Sequence, residues 1–184
     1  MASISTAASL VTWKIDPAHT VAEFKVKHMM IANVKGTFNG LSGTLELDQT
    51  HPAHSHIEAQ IPVSAISTGD TSRDGHLKSG DFFDAEKHPH LTFKSTGVRH
   101  VSGDEYAVTG DLAIRGVKHP VTFKVEELSK PQKDPWGNMR IGLSATTRVN
   151  RKDFGLTWNS TLETGGVLVG DQVEITLDVQ FIKG

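Results

Sequence analysis

The sequence predicts an all-β protein, a single closed antiparallel barrel of about eight strands with a short helical insert. Three observations carry that expectation. Apolar and polar residues alternate with a period of two along most of the chain. No segment is long and periodic enough for a major helix. The one-sided apolar faces are long, and closing the sheet removes the exposed edges that such strands would otherwise present. At 184 residues the chain suits one domain with a substantial core.

The elements follow in order. Residues 1–12 are Ser, Ala and Thr with a few aliphatics, read as a flexible leader, and the barrel domain is expected over 13–184. In Val21–His28 one face reads Ala22, Phe24, Val26, His28, and the other reads Val21, Glu23, Lys25, Lys27. Val34–Leu41 and Gly43–Asp48 read as the next two strands, joined through Asn39-Gly40-Leu41-Ser42-Gly43. Ile57, Ala59 and Ile61 share a face in a fourth. Strands resume at Leu91–Ser95 and continue at Tyr106–Arg115 and Val121–Glu126, with Gly116 at the break and Pro120 near a strand start. Asp134-Pro135-Trp136-Gly137-Asn138 is a turn before a strand over Met139–Val149. Val173, Ile175, Leu177, Val179 and Phe181 give the clearest alternation.

The segment 69–89 breaks the pattern. It holds Arg73, Asp74, His76, Asp81, Phe82, Phe83 and Asp84. Thr71 with Asp74 forms a capping-box pattern for a short helix, and Ser79 caps a second turn towards Pro89. A β chain that concentrates its chemistry in one insert is expected to place it at the mouth of the barrel.

Composition excludes several functions. A net charge of −2, with Lys and Arg scattered, gives no basic field for nucleic acid. The absence of Cys removes a thiol nucleophile, an Fe–S cluster, a thiolate zinc site and any disulfide. No segment reaches transmembrane length, so no stable membrane insertion is expected. Met1–Thr12 has neither a basic opening nor an apolar run long enough for a signal peptide. The expected location is cytoplasmic, or periplasmic or secreted for a processed or trimmed chain.

An interior of about eight strands is either filled by side chains or holds one small ligand. Strand parity makes Phe24, Val26, Phe38, Phe93, Leu143 and Ile175 candidate cavity liners, with Phe82 and Phe83 at the insert. The same residues equally suit a packed core. The small residues Ala22, Gly36, Ala59 and Ala145 point towards space or towards close strand approach. An anionic head group would call for Arg73, His76, Arg148 or Arg151, Arg offering a bidentate grip. The plainer role for Arg73 is an ion pair with Asp74 or Asp84, and for Arg151 one with Asp153. His28 shares an apolar face and is either a ligand contact or a hydrogen-bonded structural residue. Asp81 and Asp84 read as turn and cap residues.

His51-Pro52-Ala53-His54-Ser55-His56 is the one metal-like pattern. His54 and His56 would project to one side of a strand, and imidazoles suit zinc or copper. The spacing matches no established metal motif, so no metal is expected and the cluster reads as a solvated loop. The GxSxG, GxxxxGK[ST] and GxGxxG patterns are absent.

The chain resembles the YceI-like family. The resemblance rests on Trp13-Lys14-Ile15-Asp16-Pro17-Ala18-His19-Thr20, Val26-Lys27-His28, Gly36-Thr37-Phe38, Arg73-Asp74-Gly75-His76-Leu77 and Asp81-Phe82-Phe83-Asp84. It continues through Gly116-Val117-Lys118-His119-Pro120-Val121, Arg151-Lys152-Asp153-Phe154-Gly155-Leu156 and Val169-Gly170-Asp171-Gln172-Val173, in order from Trp13 to the C-terminus. It implies a lipocalin-like barrel that binds a polyisoprenoid or similar long-chain amphiphile in an elongated apolar cavity, often as a homodimer. It also implies secretion for many members, from which this N-terminus departs.

The function expected is binding, storage or transport of a long-chain isoprenoid-type lipid such as a polyprenyl phosphate or an isoprenoid quinone. No catalytic residue and no cofactor beyond the lipid are expected. Each buried methylene contributes at most about 0.8 kcal/mol, so several isoprene units need no polar anchor. Two alternatives differ in kind. One is an enzyme with His76 or His28 as base near Asp74 and Arg73 holding an anion. The other is a packed-barrel stress-response interaction module.

Overall fold

In the computed structural model, which describes residues 9–184, the alternating segments form antiparallel strands. In chain order they are β1 (Leu10–Ile15), β2 (Val21–His28), β3 (Ala32–Phe38), β4 (Ser42–Asp48), β5 (His56–Pro62) and β6 (Ile66–Ser67). The helix α1 (Thr71–Lys78) follows. Then come β7 (His90–Ser102), β8 (Glu105–Ile114), β9 (Val117–Glu126), β10 (Gln132–Lys133), β11 (Met139–Asn150) and β12 (Val169–Lys183).

The ring closes because β12 serves both edges. One edge of β12 pairs with β11 from Gln172 to Ile182. Its other edge takes β1 near Phe181 and Lys183, then β2 from Asp178 back to Val169. β1 and β2 are thus one interrupted stave, and the same holds for β3 with β4 and for β5 with β6. β7, β8, β9, β11 and β12 complete a closed eight-stave antiparallel barrel, as the alternation predicts.

The first break has a local cause. Between β1 and β2, Pro17 starts a short 3-10 turn that Asp16 caps through the Ala18 N–H. Arg140 on β11 holds that turn: Nη1 donates to Asp16 Oδ2 at 2.7 Å and Nε donates to Asp134 Oδ2 at 2.7 Å. The β9–β11 seam is short, pairing Lys124–Glu126 with Ser144–Thr146. Thr147 Oγ1 extends it by donating to the Thr122 carbonyl, and Phe154 packs beside His119 where the ladder stops. Pro120 lies within β9, not at its start, in the stretch whose outer edge has no β11 partner; its missing N–H costs nothing there.

Several boundaries differ from the sequence expectation. Leu10, Val11 and Thr12, placed in the leader, pair with Asp48, Leu47 and Glu46 as the start of β1. The rest of that leader, residues 1–8, lies outside the described residues. β7 runs on past Ser95 because a bulge at Ser95–Gly97 restores the facing of Val98. The cap of α1 is Asp70, whose carboxylate accepts from the Arg73 N–H at 2.9 Å; Thr71 is the first helical residue.

Candidate functional site: the barrel interior

The interior does not pack as one core. One buried cluster gathers around Trp13, Ile15, Phe38, Ile141 and Phe181. A second gathers around Leu112, Phe123, Phe154 and Leu156. Between them lies a cavity of about 290 Å³. β12 supplies Val173, Ile175, Leu177, Val179 and Phe181 to its wall, all from one parity. β2 adds Ala22, Phe24 and Val26, and β11 adds Leu143, Ala145 and Val149. Phe24, Val26, Phe93, Leu143 and Ile175 are only half-buried although they point inward, because they face the void.

The insert covers one end. Leu77 from α1, with Phe82 and Phe83 from the turns after it, lines the cavity there. The backbone fixes those turns: Phe83 N–H donates to the Leu77 carbonyl and Phe82 N–H to the Ser79 carbonyl. Arg115 at the β8–β9 turn donates to the Phe82 carbonyl at 2.7 Å, tying the insert to the opposite wall. Phe38 stands between Phe24 and Phe83, so three rings run from wall to insert. At the other end the β4–β5 connection contributes Pro52, Ser55 and His56.

The structure sorts the predicted site residues. Phe24, Val26, Phe38, Phe82, Phe83, Phe93, Leu143, Arg151 and Ile175 border the cavity. His28, Arg73 and His76 do not. His28 sits opposite Ala32 beside the β2–β3 turn. Arg73 is exposed and directs Nε and Nη2 to the hydroxyl and carbonyl of Thr68, in place of the expected pairing with Asp74 or Asp84. His76 Nε2 lies 2.8 Å from Asp81 Oδ2, and its ring abuts Phe82 and Trp158. The Asp74 carboxylate accepts from Thr68 instead. The constellation His76, Asp74 and Arg73 weighed for catalysis is therefore not assembled. Arg148 pairs with Glu174 on the outer surface.

Arg151 is the informative cation. It is 5% exposed, and its partner carboxylate is Asp171, not Asp153. Nε donates to Gly170, Nη1 to Leu156 and Trp158, and Nη2 to Val169, all at carbonyl oxygens. Those four hydrogen bonds go to the chain itself, and Asp171 Oδ1, 3.7 Å from Nη2, is a charge partner beyond hydrogen-bonding distance. Burial lowers its pKa and Asp171 opposes that shift. Arg151 organises the approach to β12 and directs its hydrogen bonds to the chain's own carbonyls.

Gly36 has a use that composition left open. A side chain there would collide with the outer atoms of the Phe24 ring. The glycine makes room for an aromatic wall and leaves the void where it is. Sequence reasoning missed the liners Leu77, Tyr106, Val108 and Leu177. Leu177 was legible from the parity of Ile175, and Tyr106 and Val108 from that of Leu112.

A YceI-like domain model matches residues 13–181. The chain belongs to the YceI-like family. This YceI-like protein is 35% identical over 173 residues to the UPF0312 protein SA2479 of Staphylococcus aureus, covering 94% of this chain and 98% of that one. Its fold is similar to that of Burkholderia cenocepacia BcnA, with a TM-score of 0.79 at 23% identity, covering 90% and 98% of the two chains. A Campylobacter jejuni YCEI protein matches at 28% identity with a TM-score of 0.71, over 86% and 90%. A polyisoprenoid-binding domain from Saccharophagus degradans, implicated in plant cell wall breakdown, matches at 14% identity with a TM-score of 0.68, over 95% and 99%. No helix among the described residues of the YceI-like chain is long and apolar enough to cross a membrane.

Proposed function

We propose that this YceI-like barrel binds one long-chain isoprenoid-type lipid and acts as its carrier or store. The cavity carries the reading. It holds about 290 Å³ and is walled mainly by Phe, Leu, Ile and Val. The ligand that matches such a wall is a branched hydrocarbon. Recognition is by length and shape. Arg151 directs its hydrogen bonds to chain carbonyls, which favours a polar head group outside the wall residues. The polyisoprenoid-binding relative supports the same class of ligand.

Uptake tests the proposal. Delipidated protein mixed with a polyprenyl alcohol should take up one molecule per barrel, and Ile175→Trp, which places an indole in the cavity, should abolish uptake while remaining folded. Equal uptake by Ile175→Trp would move binding out of the barrel.

A further inference from the structure

At the end of the cavity away from the insert, the β4–β5 connection gathers Asp48, His51 and His54. Asp48 is the last residue of β4 and is 0% exposed. Its Oδ1 is fully used, accepting from the Thr50 N–H at 3.0 Å, the Thr50 hydroxyl at 2.7 Å and the His51 N–H at 2.9 Å. Its Oδ2 is buried and finds no hydrogen-bond partner among the described residues. A buried carboxylate oxygen left unpaired is costly and calls for a cation.

Two imidazoles face that oxygen. His54 Nδ1 is 3.5 Å away and His51 Nδ1 is 3.9 Å away. The rings stack with centroids 5.4 Å apart at 30°. The three ligand atoms lie within 4.8 Å of one another. These separations are long for hydrogen bonds. They suit ligands that share a metal: zinc bonds of 2.0–2.1 Å at tetrahedral angles set neighbouring ligands about 3.3 Å apart.

The local fold makes the arrangement. Ser55 Oγ accepts from the Asp48 N–H at 3.0 Å and closes the loop on itself. Pro52 starts a 3-10 turn, which places His51 and His54 on the same side, three residues apart. His56, expected to project with His54, instead begins β5. Asp48, three residues before His51, adds a carboxylate to the histidine cluster.

We propose that Asp48, His51 and His54 form a zinc site, with Asp48 Oδ2 and the two Nδ1 atoms as ligands. The fourth position faces solvent, since the two histidine side chains are 60% and 59% exposed. Pro52, Ser55 and His56 border the cavity, so the ion would clamp the connection that closes this end. The site stands independently of what the cavity binds.

The test is calorimetric titration of chelator-treated full-length protein with zinc chloride, beside thermal unfolding with and without the metal. The proposal expects one saturable equivalent per chain and a raised melting temperature. His54→Ala should weaken binding at least about tenfold, the usual loss even for residues behind the ligands. His51→Ala/His54→Ala should remove both the binding and the thermal shift. Both side chains are exposed, so the variants should keep the wild-type far-UV circular dichroism. Asp48→Asn keeps the Oδ1 contacts and should also weaken binding, whereas His56→Ala should bind as wild type. Absence of a saturable equivalent in the wild type, or its persistence in the double variant, would overturn the site.

Discussion

The ring of Phe83 meets the ring of Phe38 edge-on, with centroids 5.8 Å apart and planes at 89°. Phe83 belongs to the insert and Phe38 ends β3, so this pair joins the cover to the wall. Such a contact is worth about 1 kcal/mol beyond burial. Phe83→Ala should therefore open that end of the cavity at modest cost to the fold. The expected result is faster dissociation of a bound polyprenyl alcohol with a small shift in the urea midpoint. Phe82, which is 6% exposed, is a different case. Phe82→Ala should cost about 3 kcal/mol or more in equilibrium unfolding.

Gly36→Ala tests the aromatic wall. The added methyl group collides with the Phe24 ring, which borders the cavity and has to move. Destabilisation by about 1–3 kcal/mol is expected, as for overpacked cores. Lipid uptake should fall with it, read by titration of the folded variant. A variant that kept full capacity would show that Phe24 does not bound the binding volume.

Arg151→Met separates structure from recognition. It strips donors from the carbonyls of Leu156, Trp158 and Gly170. A loss of about 3 kcal/mol in urea unfolding of the apo protein is expected. Arg151→Lys should not rescue it, since an ammonium cannot span that set of acceptors. The folded fraction should bind polyprenyl phosphate and polyprenol in the wild-type ratio. A selective loss of the phosphate would place the head group at Arg151 after all.

Acid should attack the Arg140 clamp. The Arg140 guanidinium holds both the Asp134 and Asp16 carboxyls below their ordinary value of 3.8, and is the largest cause at each. Depressed carboxyl pKa values mean that the unfolded chain binds more protons in acid. The clamp's contribution is thus fully present above the unfolded value and is lost as pH falls below about 4 towards the folded values. Urea midpoints measured from pH 6 down to pH 2.5 should drop, and Arg140→Gln should flatten that slope while lowering stability at pH 6.

The strand code was legible where a face is continuous. Ala22–Phe24–Val26 and Val173–Phe181 point inward as their alternation predicts, because one slip would expose the whole set. Interruptions were less legible: each split stave depends on the strands that lie beside it in the closed ring, and the start of β1 is hidden because Leu10-Val11-Thr12 acquires its pairing from residues 46–48. Side-chain chemistry was least legible. Arg73, His76 and Arg151 are the right residue types for a head group, yet Thr68, Asp81 and four chain carbonyls claim them. Conversely, Asp48 looked like an ordinary strand end. Its meaning comes from a buried oxygen that only the folded loop turns towards His51 and His54.

Native mass spectrometry of protein purified from its own host without detergent reads whether the barrel holds an isoprenoid-type lipid. One bound molecule per chain is expected, and its extracted fragments should show isoprene spacing. A folded protein of clean apo mass, which also fails to take up polyprenyl lipid when supplied, would contradict lipid binding in the barrel.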